Sequence, residues 1–404
     1  MNRILDGLRI IEGSAFVAAP LAGMTLAQMG AEVIRFDPIG GGLDYGRWPV
    51  TDRGDSLFWA GLNKGKKSIA LNIRAPEGRE LVAEMVGAPG EDAGLFLTNF
   101  PAAGWLAYEA LKARREDLIM VNILGNRDGS SELDYTVNPA VGFPAVTGHD
   151  ARPVNHVLPA WDIGTGLSAV SGLLAAERWR SRKGEGQLVS VALSDVAFAT
   201  VANLGIVGDW QVNGNERDLG GNDLYGAFGR DFETSDGRRL MVVGLSPKQW
   251  SSLVKTCGAE AAMERIAAET GLNLADEGNR YRARAAIADA LAPWFATRDF
   301  ASAAAALEAG GVTWGPYQSF REAMERDPRF STQSPLFADV AHPGIGTLMT
   351  PGSPVDFTAR LREAPGRAPR LGENTDEVLA GVLGLGEGQI GALHDSGIVA
   401  GPAV

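Results

Sequence analysis

The sequence predicts an α/β fold built on a parallel, doubly wound sheet, followed by a smaller α/β segment. Three observations carry this. Short apolar runs alternate with helical patterns through the first 125 residues, the pattern of parallel strands joined by crossover helices. Residues 118–123 (LIMVNI) are apolar enough for burial on both faces, as parallel strands are. Hydrophobic residues make up 45% of the chain and charged ones 21%, values that sustain a packed core and exclude wholesale disorder.

Taken in order, residues 8–11 (LRII) read as the first strand. Pro20 suits the first turn of the helix that follows, and Gly30 stands where a helix-ending glycine belongs. Residues 31–36 form the next strand, and a second round gives a strand at 68–73, a helix over 76–86 and a strand at 95–98. After the 118–123 strand, residues 125–160 are loop-rich. A long helix over 164–182 then carries Leu167, Val170 and Leu174 on one face, with Arg178, Arg180 and Arg182 toward its negative C-terminal end. The Gly184–Gly186 turn leads to a strand at 187–193 and another helix. Around residue 215 the chain becomes glycine-rich. A strand at 240–244, a helix at 246–257 and Ala-rich helices near 281–308 follow. From residue 341 it is rich in Pro and Gly, then ends in a short helix after Asn374 and Thr375. These breaks divide the chain into 1–214, 215–340 and 341–404.

The chain of 404 residues carries a net charge of −12, which argues against nucleic acid and against an anionic membrane surface as partners. One cysteine, Cys257, and four scattered histidines predict neither a disulfide nor a metal site. No apolar run approaches the ~18 residues of a membrane span, and the alternating charges Arg3, Asp6, Arg9 and Glu12 do not fit a signal peptide. The expectation is a cytoplasmic enzyme. Its 52 glycines, about one residue in eight against a typical ~7%, predict many turns and close backbone approaches.

Several catalytic patterns are absent. The first strand is followed by Gly13-Ser14-Ala15-Phe16 rather than G-x-G-x-x-G, which removes the main support for a dinucleotide-binding protein, the competing class. Residues 61–68 (GLNKGKKS) are one residue short of a phosphate loop. Ser252 and Lys255 fit S-x-x-K in mid-helix without the companion motifs. What remains is Trp161-Asp162-Ile163-Gly164-Thr165-Gly166. Read by itself, Asp162 caps the helix that follows. Equally, it leaves an apolar run (157–161), the dipole would keep it ionised, and two glycines after it would admit a ligand to the backbone.

In this region and in several ordered blocks the chain resembles the class III CoA transferases, of the formyl-CoA and carnitine-CoA transferase type. The blocks are residues 5–11 (LDGLRII), Val17-Ala18-Ala19-Pro20, 30–34 (GAEVI), 63–72 (NKGKKSIALN), Thr98-Asn99-Phe100, Asp162–Gly166 with Gly184–Gln187, Gly315-Pro316, Asp327-Pro328, His342-Pro343 and 368–375 (APRLGENT). The resemblance implies a Rossmann-like large domain, a small domain, and an interlocked, ring-shaped homodimer. It makes Asp162 the nucleophile toward an acyl-CoA, with coenzyme A part of the substrate, no tightly bound cofactor and no metal. By position, Val17, Ala18, Leu71, Arg74, Asn99 and Phe100 would line the CoA site. Lys64, Lys66, Lys67 and Arg74 would offset its phosphates, or form a solvated basic turn. Backbone N–H groups near Gly164 or Gly220-Gly221 would bind an oxyanion, the latter pair being otherwise an interdomain turn. Arg47 would grip a free carboxylate, or be a surface arginine.

Departures narrow the expectation. The racemase branch of the superfamily has a catalytic His in G-H-D-x-N-Y. Here Leu133 stands at that position, and leucine cannot move a proton. Pro38 and Trp105 fall where formyl-CoA transferases have arginines. Residues 12–17, 35–44 with 47–49, and 224–233 instead look like a subgroup that moves CoA between two carboxyls of one unsaturated dicarboxylic acid. Transfer between two separate acids is the alternative.

Overall fold

The computed structural model describes residues 4–150, 152–360 and 362–402. Arg3, one of the N-terminal charges noted above, lies outside them. The chain divides into two compact units, one comprising Met1–Val141, His156–Asp209 and Pro328–Val404, the other Gly142–Asn155 and Trp210–Asp327.

The first unit is built on a seven-stranded sheet. Its strands are β1 (Arg9–Gly13), β2 (Glu32–Pro38), β3 (Lys67–Leu71), β4 (Leu95–Thr98), β5 (Ile119–Leu124), β6 (Gln187–Ala192) and an edge strand at Val399–Ala400. From that edge the order is Val399–Ala400, β3, β2, β1, β4, β5, β6, and every pairing is parallel except the antiparallel first one. The sheet is therefore parallel-dominated, as expected, with one reversed edge that the Pro/Gly-rich tail gave no sign of. Side chains alternate across a strand, and both faces of the central strands are apolar: Ile11, Ile34, Phe36, Ile69 and Phe96 enter one core, Ile10, Val33, Leu95, Leu97 and Val121 the other.

Helices Ala18–Gln28 and Ala160–Lys183 cover the second of these faces, supplying Ala19, Ala22, Leu26, Ala169, Val170 and Leu173. They pack closely because Gly166 has no side chain: a Cβ there would lie 2.7 Å from the Ala18 carbonyl oxygen. The opposite face is covered by helices Pro76–Gly87 and Thr375–Leu383. A hairpin, Phe337–His342 with Gly346–Pro351, forms where the sequence showed only Pro and Gly.

The second unit has an antiparallel three-stranded sheet of Phe228–Glu233, Arg239–Gly244 and Thr313–Pro316. Helices Pro247–Cys257, Glu260–Thr270, Arg284–Ala296 and Phe300–Ala309 share its core, which contains Phe228, Leu240, Leu253, Ile287, Leu291 and Phe295. The main part of this unit runs from 210 to 327. No helix among the described residues is long and apolar enough to cross a membrane.

Candidate active site

In an open α/β sheet, ligands bind beyond the carboxyl ends of the strands, where the strand order reverses direction. Here the reversal lies between β1 and β4. The turn after β1 is fixed from both sides. Asn99, just past β4, accepts from the Ala15 N–H (2.9 Å) and donates to the Ala15 carbonyl (2.8 Å). The next residue, Phe16, has φ of 67°, a left-handed conformation uncommon outside glycine. Its N–H donates to Asp44 Oδ1 at 2.9 Å.

Beneath this turn lies a buried network of charges. Arg35, 1% exposed, donates to both oxygens of Asp37, to Asp44 Oδ2 (3.0 Å), to Asn63 Oδ1 (3.1 Å) and to the Ser14 carbonyl (2.9 Å). Lys66 donates to Glu12 Oε1 (2.7 Å), Asn63 Oδ1 and the Pro20 carbonyl, while burial pulls its ammonium down to about 8. Gly23 makes room for Glu12, since a Cβ at that position would sit 1.7 Å from Oε2. Lys66 therefore belongs to the interior. Lys64 is buried as well and donates to the Gly61 carbonyl, and Lys67 pairs with Glu32 and Glu377. Of the basic cluster proposed to face phosphates, Arg74 alone is exposed.

Asp162 stands in the first turn of helix Ala160–Lys183, and the helix begins earlier than the 164 expected. It is not the cap. That work is done by Asp134, buried in the first turn of helix Asp134–Ala140, whose Oδ2 accepts the N–H of Trp161 (2.7 Å) and of Asp162 (3.2 Å), two of the donors a helix start leaves unpaired. Asp134 Oδ1 lies 2.7 Å from His156 Nε2. The Asp162 carboxylate itself accepts no hydrogen bond among the described residues. Burial first, and then the charge of Asp134, push it up to about 6, with the Arg47 guanidinium pulling the other way. The acid was expected to stay ionised; burial raises its proton affinity, and at about 6 it is still ionised at neutral pH. Arg47 is half-buried, with its guanidinium carbon 5.2 Å from the Phe16 ring centre and 4.8 Å from that of Phe58.

The remaining predicted residues divide by what they can present. Val17 and Ala18, both buried, stand at the start of helix Ala18–Gln28, and Asn99 and Phe100, half-buried, follow β4, so all four belong to the segments that leave β1 and β4 at the reversal. Leu71 ends β3 with its side chain wholly buried in the core and its carbonyl taken by the Ile39 and Ile73 N–H groups, so it has nothing to present to a ligand. Gly164 is a full turn inside its helix. The first rung of that helix, Ile163 N–H to the Pro159 carbonyl, already precedes it, so the Gly164 N–H belongs to the helical ladder and not to an oxyanion site. Gly220 and Gly221 lie in the second unit, where Gly221 (φ +57°) packs on His149. Among the described residues no group of three His, Cys, Asp or Glu could hold a metal. Sequence reasoning missed Asp134 and the Arg35–Asp44 pair. Asp134 sat beside Leu133 in the block used only to exclude racemisation.

A half-buried aspartate whose carboxylate accepts no hydrogen bond among the described residues, within the field of an arginine, suits covalent acyl transfer. The chain belongs to CoA-transferase family III, whose model matches residues 5–375. It is 60% identical to the 2-methylfumaryl-CoA isomerase of Chloroflexus aurantiacus, over 100% of this chain and 99% of that one. It is 31% identical to the succinyl-CoA:mesaconate CoA-transferase of Haloarcula marismortui, over 93% of this chain and 95% of the relative. The crystal structure of a CAIB/BAIF family protein from Brucella suis superposes with a TM-score of 0.78 at 25% identity, covering 95% of this chain and all of that one.

Proposed function

We propose that the protein is an enzyme that moves coenzyme A between the C1 and C4 carboxyls of 2-methylfumaryl-CoA (mesaconyl-CoA), with Asp162 as nucleophile. The observation that carries the reaction is the 60% identity to an isomerase of that name over the full length of both chains. A carboxylate oxygen of Asp162 attacks the C1 thioester carbonyl, the C–S bond breaks, and a mixed anhydride and CoA thiolate result. The thiolate attacks the Asp162 carbonyl and expels methylfumarate as a carboxylate, leaving an Asp162–CoA thioester. The C4 carboxylate then attacks that thioester, and the same steps in reverse release Asp162 and the C4 ester. Two activated acyl intermediates replace a direct exchange that has no easy path. A carboxyl pushed up to about 6 is ionised at neutral pH yet more nucleophilic than an ordinary aspartate.

Coenzyme A enters only as part of the substrate. Val17, Ala18, Asn99, Phe100 and Arg74 line its site in this reading, and Arg47 grips the free carboxylate by its two parallel N–H donors. The protein works as an interlocked homodimer in the cytoplasm. Helix Ile206–Asn213, which buries none of its own residues and exposes Trp210 and Val212, supports an apolar partner surface. Light scattering on the purified protein should return twice the chain mass.

The test of the reaction is incubation of C1-methylfumaryl-CoA with labelled free methylfumarate. Formation of the C4 ester without label supports intramolecular transfer. Label entering the ester at the rate of isomerisation assigns the protein instead to transfer between separate acids, the activity named for the Haloarcula relative.

A further inference from the structure

We propose that Phe16 and Phe58 are positioning residues for the Arg47 guanidinium, and that the site they build selects acyl-CoA esters whose acyl group bears a second, free carboxylate. This rests on the reading of Arg47 as that carboxylate's partner.

Two buried or half-buried arginines near the turn make the point by contrast. Arg35 has its donors taken up by two aspartates, an asparagine and a carbonyl. Arg47 makes no side-chain hydrogen bond and no ion pair among the described residues, yet its guanidinium carbon lies over two aromatic rings, Phe16 and Phe58. Ring faces attract a guanidinium through its flat side. Its edge, where the N–H donors point, stays available for a carboxylate. The positive charge of Arg47 also acts on Asp162, so the two groups share one electrostatic field.

The surrounding backbone is arranged to hold both rings. Ser56 Oγ donates to the Arg47 carbonyl (2.6 Å) and accepts the Trp59 N–H (3.0 Å), so one side chain fixes the arginine and starts helix Leu57–Leu62, which carries Phe58. Phe16 is held in the left-handed region, which glycine would occupy without strain. Its N–H is pinned by Asp44, whose other oxygen is pinned by Arg35, and Asn99 pins Ala15 on both sides. Strain of this kind persists only where the surroundings over-determine it, and it concentrates at functional sites. What it presents here is a ring, 37% exposed, under a cation.

The experiment measures equilibrium binding of succinyl-CoA and butyryl-CoA, two four-carbon esters that differ in the free carboxylate, by calorimetry in an Asp162→Ala background that leaves the esters intact. Succinyl-CoA should bind at least about tenfold more tightly, and Arg47→Met should erase that preference. Phe58→Leu should cut it to within about twofold, mainly by weakening succinyl-CoA, while Phe58→Tyr keeps it. Phe16→Gly, which keeps the left-handed backbone and removes the ring, should behave like Phe58→Leu. A preference unchanged in Phe58→Leu and Phe16→Gly, or equal weakening of both esters, overturns the proposal, as does a preference that survives Arg47→Met. Turnover of methylfumaryl-CoA by the unaltered enzyme is a separate readout: its absence removes the isomerase reading and leaves the binding ratios to decide this one.

Discussion

Two groups of acids in the first unit contrast sharply. Glu12, Asp37 and Asp44 are each 1% exposed or less, and each is paired: Glu12 with Lys66, Asp37 and Asp44 with Arg35. Asp162 is half-buried at the start of a helix, with a second acid, Asp134, behind it and no hydrogen bond to its carboxylate among the described residues. Burial is hostile to charge in both places. In the first it is answered by cations, and the result is a rigid floor for the β1 turn. In the second it is left standing, and the result is an acid of raised affinity for protons. Burial raises Asp37 as well, even beside Arg35, so what sets the proposed nucleophile apart from the acids of the floor is the lack of a hydrogen-bonded partner on its carboxylate among the described residues.

The strongest test removes the uncompensated acid. Asp162→Asn should lower turnover of methylfumaryl-CoA by at least about a thousandfold while leaving the urea midpoint unchanged or slightly higher; activity near that of the unaltered enzyme rules out the covalent mechanism. The converse change is Lys66→Met, which strands Glu12 without its ammonium and should cost about 3–5 kcal/mol in urea unfolding. A loss below ~1 kcal/mol would mean that the floor is not held by charge.

The pH profile sharpens the contrast further. A nucleophilic carboxylate must be ionised, so kcat/KM should be level above neutrality and fall as pH drops through about 6. Asp134→Asn takes away a neighbouring negative charge and keeps an oxygen to accept the Trp161 and Asp162 N–H groups, so the acid limb should move to lower pH, by up to about one unit. A limb that does not move shows burial alone to be responsible. Least affected should be an exposed pair. Arg114 and Glu80 meet at 2.7 Å on the surface, and Arg114→Ala should change stability by no more than ~0.5 kcal/mol.

The central strands were legible because their residues are apolar without interruption, and Asp162 because it leaves such a run ahead of two glycines. The floor of the site was not. Arg35, Asp37, Asp44 and Asn63 come together across separations of 2, 9 and 28 residues, and only the folded sheet makes them neighbours. In the sequence Lys66 belonged to a basic run and looked like Lys64 and Lys67. Its buried fate depends on Glu12, 54 residues away. Asp134 escaped for the same reason: a cap donated by another helix leaves no local pattern. The reversed edge strand hid because two residues, Val399 and Ala400, are too few to show alternation.

That edge strand also sets an order of assembly. The second unit is encoded mainly by one uninterrupted stretch, 210–327, whereas the first needs residues from both sides of it. During synthesis the inserted unit can close while β3 still shows the ribosome a bare row of amides and carbonyls, because its neighbour at 399–400 has yet to be made. The seven-stranded sheet therefore closes after the inserted unit.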